Sequence, residues 1–276
     1  MKILITGGQG TVGSFLHQRL ATAYQVLAPG RDQLDLMDSA AVAEFLTVHQ
    51  VDVVIHCALT GREQLFSTDP HWTTDSLWMF RNLWRNRDKF TKLINLGTAY
   101  ELDLNQNNWL VTEDEMLQHL PQTSYGYAKN IISRIIRDTD DFYNLRLFGV
   151  FHEQEANHRF FKKLLRNGKI TINNDIHFDY FYLGDLVPVI DKIIKDTPHL
   201  RDINMVYRDK YTMSQLAEMF CQIQGIDCKN VTVAATGQNN LTGSPSRLLD
   251  LDLNLTGLIA GFKLYTTATT INNNSI

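Results

Sequence analysis

Along the N-terminal half of the chain, short apolar runs alternate with longer amphipathic stretches. Ile3–Ile5 reads as a strand that ends at Thr6-Gly7, and a helix from Thr11 to Ala23 follows it. Tyr24–Ala28 is a second strand. Asp38 is placed to N-cap a helix that carries Val42, Phe45 and Leu46 on one face. Val51–Cys57 is a third strand, 74–87 a helix rich in Trp and Leu, and Lys92–Leu96 a fourth strand. Tyr125–Thr139 is a long helix and Asn144–Phe151 a fifth strand. This rhythm predicts an α/β fold built on a doubly wound parallel sheet.

Beyond residue 150 the alternation weakens. His158–Asn167 is a basic amphipathic helix, 179–195 reads as strand then helix, and Thr212–Ile223 as a helix opened by a Thr-x-Ser pair. The stretch from Thr266 is polar, Asn-rich and expected to fray. The predicted organisation is a dinucleotide-binding domain over 1–150, to which 179–200 returns, and a small substrate-binding lobe over 151–276.

Between the first strand and the first helix lies Gly7-Gly8-Gln9-Gly10-Thr11-Val12-Gly13. It satisfies both G-x-x-G-x-x-G and G-x-G-x-x-G. Glycine allows the tight turn, lets backbone approach a pyrophosphate and permits close helix–strand packing. The helix start adds free amides and the positive end of its dipole. Strand, turn, helix and second strand come in the order that a Rossmann-type dinucleotide site requires. The second strand ends Leu27-Ala28-Pro29-Gly30-Arg31 without an acid at its tip. Arg31 is suited to a 2′-phosphate, which favours NADP(H), while NAD(H) remains open because Asp32 could bind a ribose. Asp35 and Leu36 fall where such folds line the adenine.

Tyr125-Gly126-Tyr127-Ala128-Lys129 holds a Tyr-x-x-x-Lys pair on one helix face. An ammonium beside a phenol is expected to lower its pKa, so that Tyr125 exchanges a proton with a carbonyl oxygen as hydride moves. Lys129 could also hold the nicotinamide ribose. Thr98, at the end of the fourth strand, could bond the substrate oxygen and orient Tyr125.

Composition narrows the class. Of 276 residues, 44% are hydrophobic, enough for a sizeable core, and a net charge of −4 argues against a nucleic-acid or membrane-surface partner. No apolar run approaches a membrane span or a signal-peptide core, so the expected location is the cytoplasm. Cys57, Cys221 and Cys228 are too few for a disulfide framework or a four-ligand zinc site. The histidines are dispersed, neither G-x-S-x-G nor H-E-x-x-H occurs, and no metal site is expected.

These motifs resemble the extended short-chain dehydrogenase/reductases, and within them the nucleotide-sugar group that includes GDP-L-fucose synthase and dTDP-4-dehydrorhamnose reductase. The resemblance rests on Gly7-x-x-Gly10-x-x-Gly13, Arg31–Asp38, Val53–Ala58, Leu96-Gly97-Thr98, Tyr125-x-x-x-Lys129, Arg146–Phe151 and Tyr180–Asp185, all in family order over residues 1–220. It implies an NADP(H)-dependent reductase of a nucleotide-linked 4-keto-6-deoxy sugar. Tyr125 would be the proton donor, Lys129 its partner, Thr98 in the Ser/Thr role, and Cys57 and Ala58 in the cofactor wall. His158 resembles the acid of epimerising members, and a solvated helix start reads equally well. The group also implies a homodimer through helix 74–87 and the Tyr125 helix.

The chain departs from the pattern in three places. Gly97-Thr98-Ala99-Tyr100 lacks the cysteine of epimerising synthases. Phe178 stands where a diphosphate-binding arginine is usual, leaving Lys162, Lys163, Arg166 or Arg247 for that task. His152-Glu153 replaces a Gly-Pro. An NAD(P)-dependent epimerase or dehydratase with tightly bound cofactor, and a non-catalytic cofactor-binding regulatory subunit, are the competing expectations.

Overall fold

The computed structural model describes residues 1–60, 66–227 and 229–273, so Cys228 lies outside the described residues. In chain order its elements are β1 Lys2–Thr6, α1 Thr11–Leu20, β2 Gln25–Leu27, α2 Ser39–His49, β3 Val53–His56, α3 Pro70–Arg85 and β4 Lys92–Thr98. β5 Asn108–Val111, α4 Ser124–Arg137, β6 Phe142–Leu147, β7 Gly149–Phe151, α5 Phe160–Asn167 and β8 Lys169–Ile172 follow. The chain continues with β9 Tyr180–Tyr182, α6 Leu186–Asp196, β10 Asp202–Met205, α7 Met213–Gln224, β11 Asn230–Val233, β12 Leu241–Gly243, α8 Ser246–Leu249 and α9 Gly257–Asn273.

Two compact units divide the chain. The first comprises Met1–Asp103, Thr112–Leu147 and Val187–Asn204, and the second the remainder. The first unit is built on a six-stranded sheet in the order β10-β6-β4-β3-β1-β2. Ile3, Leu4, Ile5, Val53, Val54 and Ile55 have no solvent exposure. Unbroken apolar runs of this kind suit parallel strands covered on both faces. After β2 the chain crosses β1 to form β3 on its other side. The carboxyl ends of β1 and β3 therefore flank the topological switch point, where open α/β sheets form a crevice.

Helix starts follow local chemistry. Asp38 accepts from the amides of Ala40 and Ala41, as its position before α2 predicts. The helix expected over 74–87 begins earlier, at Pro70. Asp69 accepts from the amide of His71, and Pro70 supplies a φ suited to the first turn. Thr123 caps α4 through the Gly126 amide at 3.1 Å.

In the second unit β7 pairs with β9, β8 with β11 and β12 with β5, all parallel. Its core gathers Phe151, Phe161, Phe220, Phe262 and Tyr265, none with any solvent exposure. Asp185 caps α9, accepting from the amides of Thr256 and Gly257 at 2.8 Å each. The polar stretch expected to fray from Thr266 continues α9 to Asn273.

Three sequence expectations change here. Asn144–Phe151 is two strands rather than one: β6 joins the large sheet, and β7 leaves it to pair with β9. Leu104–Val111 belongs to the second unit, because β5 pairs with β12. The returning segment is Val187–Asn204 rather than 179–200, since β9 pairs with β7 while β10 edges the large sheet. These strands are too short and too dependent on distant partners for periodicity to reveal them.

Candidate active site

The glycine loop is constrained by contact as well as by turn geometry. Gly7 has a φ of 68°, in the left-handed region that favours glycine. A Cβ on Gly7 would lie 2.7 Å from the backbone of Ala58, and one on Gly13 would lie 2.3 Å from the carbonyl oxygen of Gly7. The loop therefore sits directly on the end of β3, with α1 directly on the loop. Gly10, the N-cap of α1, supplies no side-chain cap, so the turn at Thr11 and Val12 presents helix-start amides.

A cleft of about 380 Å³ opens at this switch point, lined by Gly7-Gly8-Gln9, Gly30-Arg31, Leu34–Met37 and Ala58–Thr60. Trp72, Asp75 and Met79 of α3 complete it. Backbone walls, buried Leu34 and Leu36, and an exposed guanidinium at Arg31 fit a dinucleotide with a further phosphate. Arg31 lies 3.4 Å from Asp35, a pair exposed enough to open at little cost. Asp35 also accepts from the Met37 amide at 3.0 Å. Asn82 donates to the carbonyl of Leu36 at 2.8 Å and Trp78 to that of Met37 at 3.2 Å, so α3 fixes this wall. Sequence reasoning missed these α3 residues, because helical spacing shows which face is buried and not what it grips.

Of the residues expected around a cofactor, Gly7, Arg31, Asp35, Leu36 and Ala58 line the cleft. Gly10, Thr11, Val12 and Gly13 form the loop and helix start beside it. Cys57 is not part of the cleft's lining, and burial pushes its thiol up to about 12, which makes it a poor nucleophile.

The second cluster joins β4 to α4. Thr98 ends β4 and is 7% exposed. Its hydroxyl accepts from the Tyr100 amide at 3.3 Å and lies close enough to the phenol of Tyr125, in the first turn of α4, to lower that phenol's pKa. Close approach is possible because residue 126 is glycine: a Cβ there would lie 2.2 Å from the carbonyl oxygen of Tyr100. The Tyr100 and Tyr125 rings are 6.0 Å apart. Lys129 is buried and donates to the carbonyl of Leu96 at 2.9 Å.

This arrangement overturns the expected direction of the Tyr125 pKa. Burial raises it above the ordinary phenol value, Glu101 and Tyr100 push it the same way, and the neighbouring Thr98 lowers it only in part. The Lys129 ammonium is turned to a carbonyl, and burial lowers its own pKa against the opposing pull of Glu101 and Cys57. Helical spacing placed the two residues on one face, yet desolvation is the largest influence on each. Tyr125 is thus a neutral phenol across the physiological range.

Beneath the cluster lies a charged group that sequence reasoning missed. Glu101 accepts from the Thr98 amide at 2.8 Å and from Arg146 at 2.8 Å. Arg146 also bonds Asp202 at 2.9 Å. The signal was present: Thr98-x-x-Glu101 is a capping-box pattern, and the box forms around a single 3₁₀ turn. His158 belongs to the second unit, where it is exposed in the turn before α5. Among the described residues, no group of His, Cys, Asp and Glu is arranged to hold a metal ion.

Residues 3–205 match the model of the NAD dependent epimerase/dehydratase family. The chain belongs to that family. It is therefore an enzyme of the NAD(P)-dependent oxidoreductase and epimerase kind, in the nucleotide-sugar group of extended short-chain dehydrogenase/reductases. Among curated family members, it is 24% identical over 257 residues to a GDP-L-colitose synthase of Yersinia pseudotuberculosis, covering 82% of each chain. It is 34% identical over 103 residues to a GDP-L-fucose synthase of Azorhizobium caulinodans, covering 36% of this chain and 33% of that one. Among solved structures, a GDP-mannoheptose C4 reductase from Campylobacter jejuni with NADP bound aligns at a TM-score of 0.80 and 20% identity over 98% of both chains. A GDP-L-fucose synthetase from Naegleria fowleri aligns at 0.82 and 17% identity, over 99% of this chain and 94% of that one. The fold, a Rossmann-type α/β sheet, is common to both.

Proposed function

We propose that this family member is an NADP(H)-dependent reductase of a nucleotide-linked 4-keto-6-deoxy sugar. The observation that carries the reading is Tyr125: a neutral, half-buried phenol beside Thr98 and one helical turn from the buried Lys129. Reduction of a carbonyl needs a proton donor at neutral pH, and these surroundings hold the proton on Tyr125. The Gly7–Gly13 loop, Arg31, Asp35, Leu36, Ala58 and Lys129 are the residues that would hold NADPH, which supplies the hydride when bound. Arg31 favours NADP(H) over NAD(H), since a guanidinium binds a phosphate through charge-assisted bonds.

Tyr125 gives its proton to the sugar's carbonyl oxygen as that oxygen gains charge. Thr98 then donates to the phenolate left behind, and the Lys129 ammonium offsets its charge, both favouring the ionised form. The relatives named above are GDP-sugar enzymes, so GDP-linked 4-keto sugars are the first substrates to try. Substrate binding is assigned to the second unit, where Lys163 and Arg166 of α5 are exposed. Pairing of two copies through α3 and α4 is expected, as these helices leave Trp78, Tyr127 and Ile135 exposed. A monomeric mass in solution would contradict it.

The direct test follows NADPH absorbance with GDP- and dTDP-linked 4-keto-6-deoxy sugars. Tyr125→Phe is expected to lower kcat by about 10²–10⁴-fold, with NADPH affinity retained. Unchanged turnover in that variant rules the mechanism out.

A further inference from the structure

Resting on the reading of Tyr125 as donor, we propose that Glu101 is the positioning residue of the acid site: one buried carboxylate ties the backbone of Thr98 to the face of α4 that carries Tyr125 and Lys129. Glu101 has no solvent exposure. One carboxylate oxygen accepts from the Thr98 amide at 2.8 Å, and the other from Ser133 at 2.6 Å and Arg146 at 2.8 Å. Its backbone carbonyl accepts from Asn130 at 2.8 Å. Ser133 lies one turn beyond Lys129, which lies one turn beyond Tyr125, so the three share a stripe of α4. The stripe that presents the donor is thus anchored to the same carboxylate that fixes Thr98.

Its surroundings are shaped for a carboxylate. A Cβ at Gly97 would come within 2.5 Å of the Glu101 oxygen. Arg146 is held from its far side by Asp202 at 2.9 Å and by Asn204 at 2.9 Å. Two carboxylates and one guanidinium, all nearly unexposed, carry a desolvation cost that an apolar filling would avoid. What an apolar filling cannot supply is an acceptor for the Thr98 amide and for Ser133 at once. The charged and titratable groups facing the cluster are Tyr100 from the turn after β4, Lys129 from α4 and His56 and Cys57 from the end of β3. Among them, the Glu101 charge favours protonated Tyr125 and charged Lys129, the states that the donor role uses.

Glu101→Met keeps the volume and removes the acceptor, whereas Glu101→Gln keeps an oxygen for the Thr98 amide. In the cofactor-free protein, amide exchange at Thr98 is expected to quicken at least about 10-fold in E101M and stay near wild type in E101Q. With NADPH and a 4-keto sugar, kcat is expected to fall about 10–100-fold in E101M, with NADPH affinity nearly unchanged and most activity restored in E101Q. Should E101M fail to fold, Ser133→Ala cuts the tie to α4 alone and is expected to lower kcat without altering Thr98 exchange. A folded E101M with wild-type exchange overturns the proposal, as does E101Q being as impaired as E101M. The exchange arm needs no substrate. A failure to reduce any sugar would therefore count against the proposed function while leaving the role of Glu101 to the exchange result.

Discussion

Acidification should destabilise the first unit through the buried His56. His56 ends β3, is 1% exposed and shares a 2.8 Å hydrogen bond with Thr6. Burial, with a smaller contribution from the Lys129 ammonium, pushes its pKa from 6.5 down to about 3. Above pH 6.5 the ring is neutral in both folded and unfolded chains, and its contribution to stability is fully present. As the pH falls below 6.5 the unfolded chain takes a proton that the folded chain refuses, so stability is lost progressively down to about pH 3. The separation of the two values, at about 1.4 kcal/mol per pH unit, limits the loss to about 5 kcal/mol. At pH 5 the loss is about 2 kcal/mol, a large fraction of a typical domain's stability. Asp179 acts in the opposite sense. Burial, only partly offset by Lys210, raises its carboxyl to about 6, so its contribution grows as the pH falls through that value. Comparison with His56→Gln removes such background, since glutamine can still bond Thr6. Urea denaturation of both proteins from pH 8 to pH 4.5 should give curves that converge by about 2 kcal/mol at pH 5. Parallel curves, or a folded-state His56 resonance titrating near 6.5, would refute the reasoning.

Three further outcomes follow from the geometry. Gly13→Ala drives a Cβ against the Gly7 carbonyl; NADPH affinity by fluorescence should fall at least about 10-fold, and stability by about 1–3 kcal/mol. Arg31→Ala should weaken NADPH binding by about 1.5–3 kcal/mol, leave NADH binding unchanged and leave the melting temperature untouched, as the side chain is exposed; equal losses for the two cofactors would remove Arg31 from 2′-phosphate recognition. Asp179→Asn strips the buried Lys210 of a counterion at 2.8 Å and should cost about 3–5 kcal/mol in denaturant unfolding, with part recovered in the Asp179→Asn/Lys210→Met double variant.

Much of the first unit was legible because its signals are local. A glycine at a positive φ, an Asp before α2 and continuous apolar strands each state their structure within a few residues. The same holds for the loop that begins the cleft and for the shared face of Tyr125 and Lys129. The second unit was less legible: β5, β8, β11 and β12 are three or four residues long and gain their identity from parallel partners far along the chain. The start of α3 at Pro70 also has a local signal, since Asp-Pro before a helix is itself a cue.

The sequence by itself determined that a nicotinamide-cofactor fold was present and which tyrosine, lysine and threonine belonged near one another. Spacing along a strand or helix is set by backbone geometry, so it can be read from residue order. Only the tertiary structure decided what those residues do to each other's protons. Lys129 turns to the Leu96 carbonyl, burial raises Tyr125, and Glu101 arrives beneath Thr98 with Arg146 and Asp202 behind it. Desolvation and Coulomb interactions depend on every element packed around a group. That environment exists only once the distant parts of the chain have met.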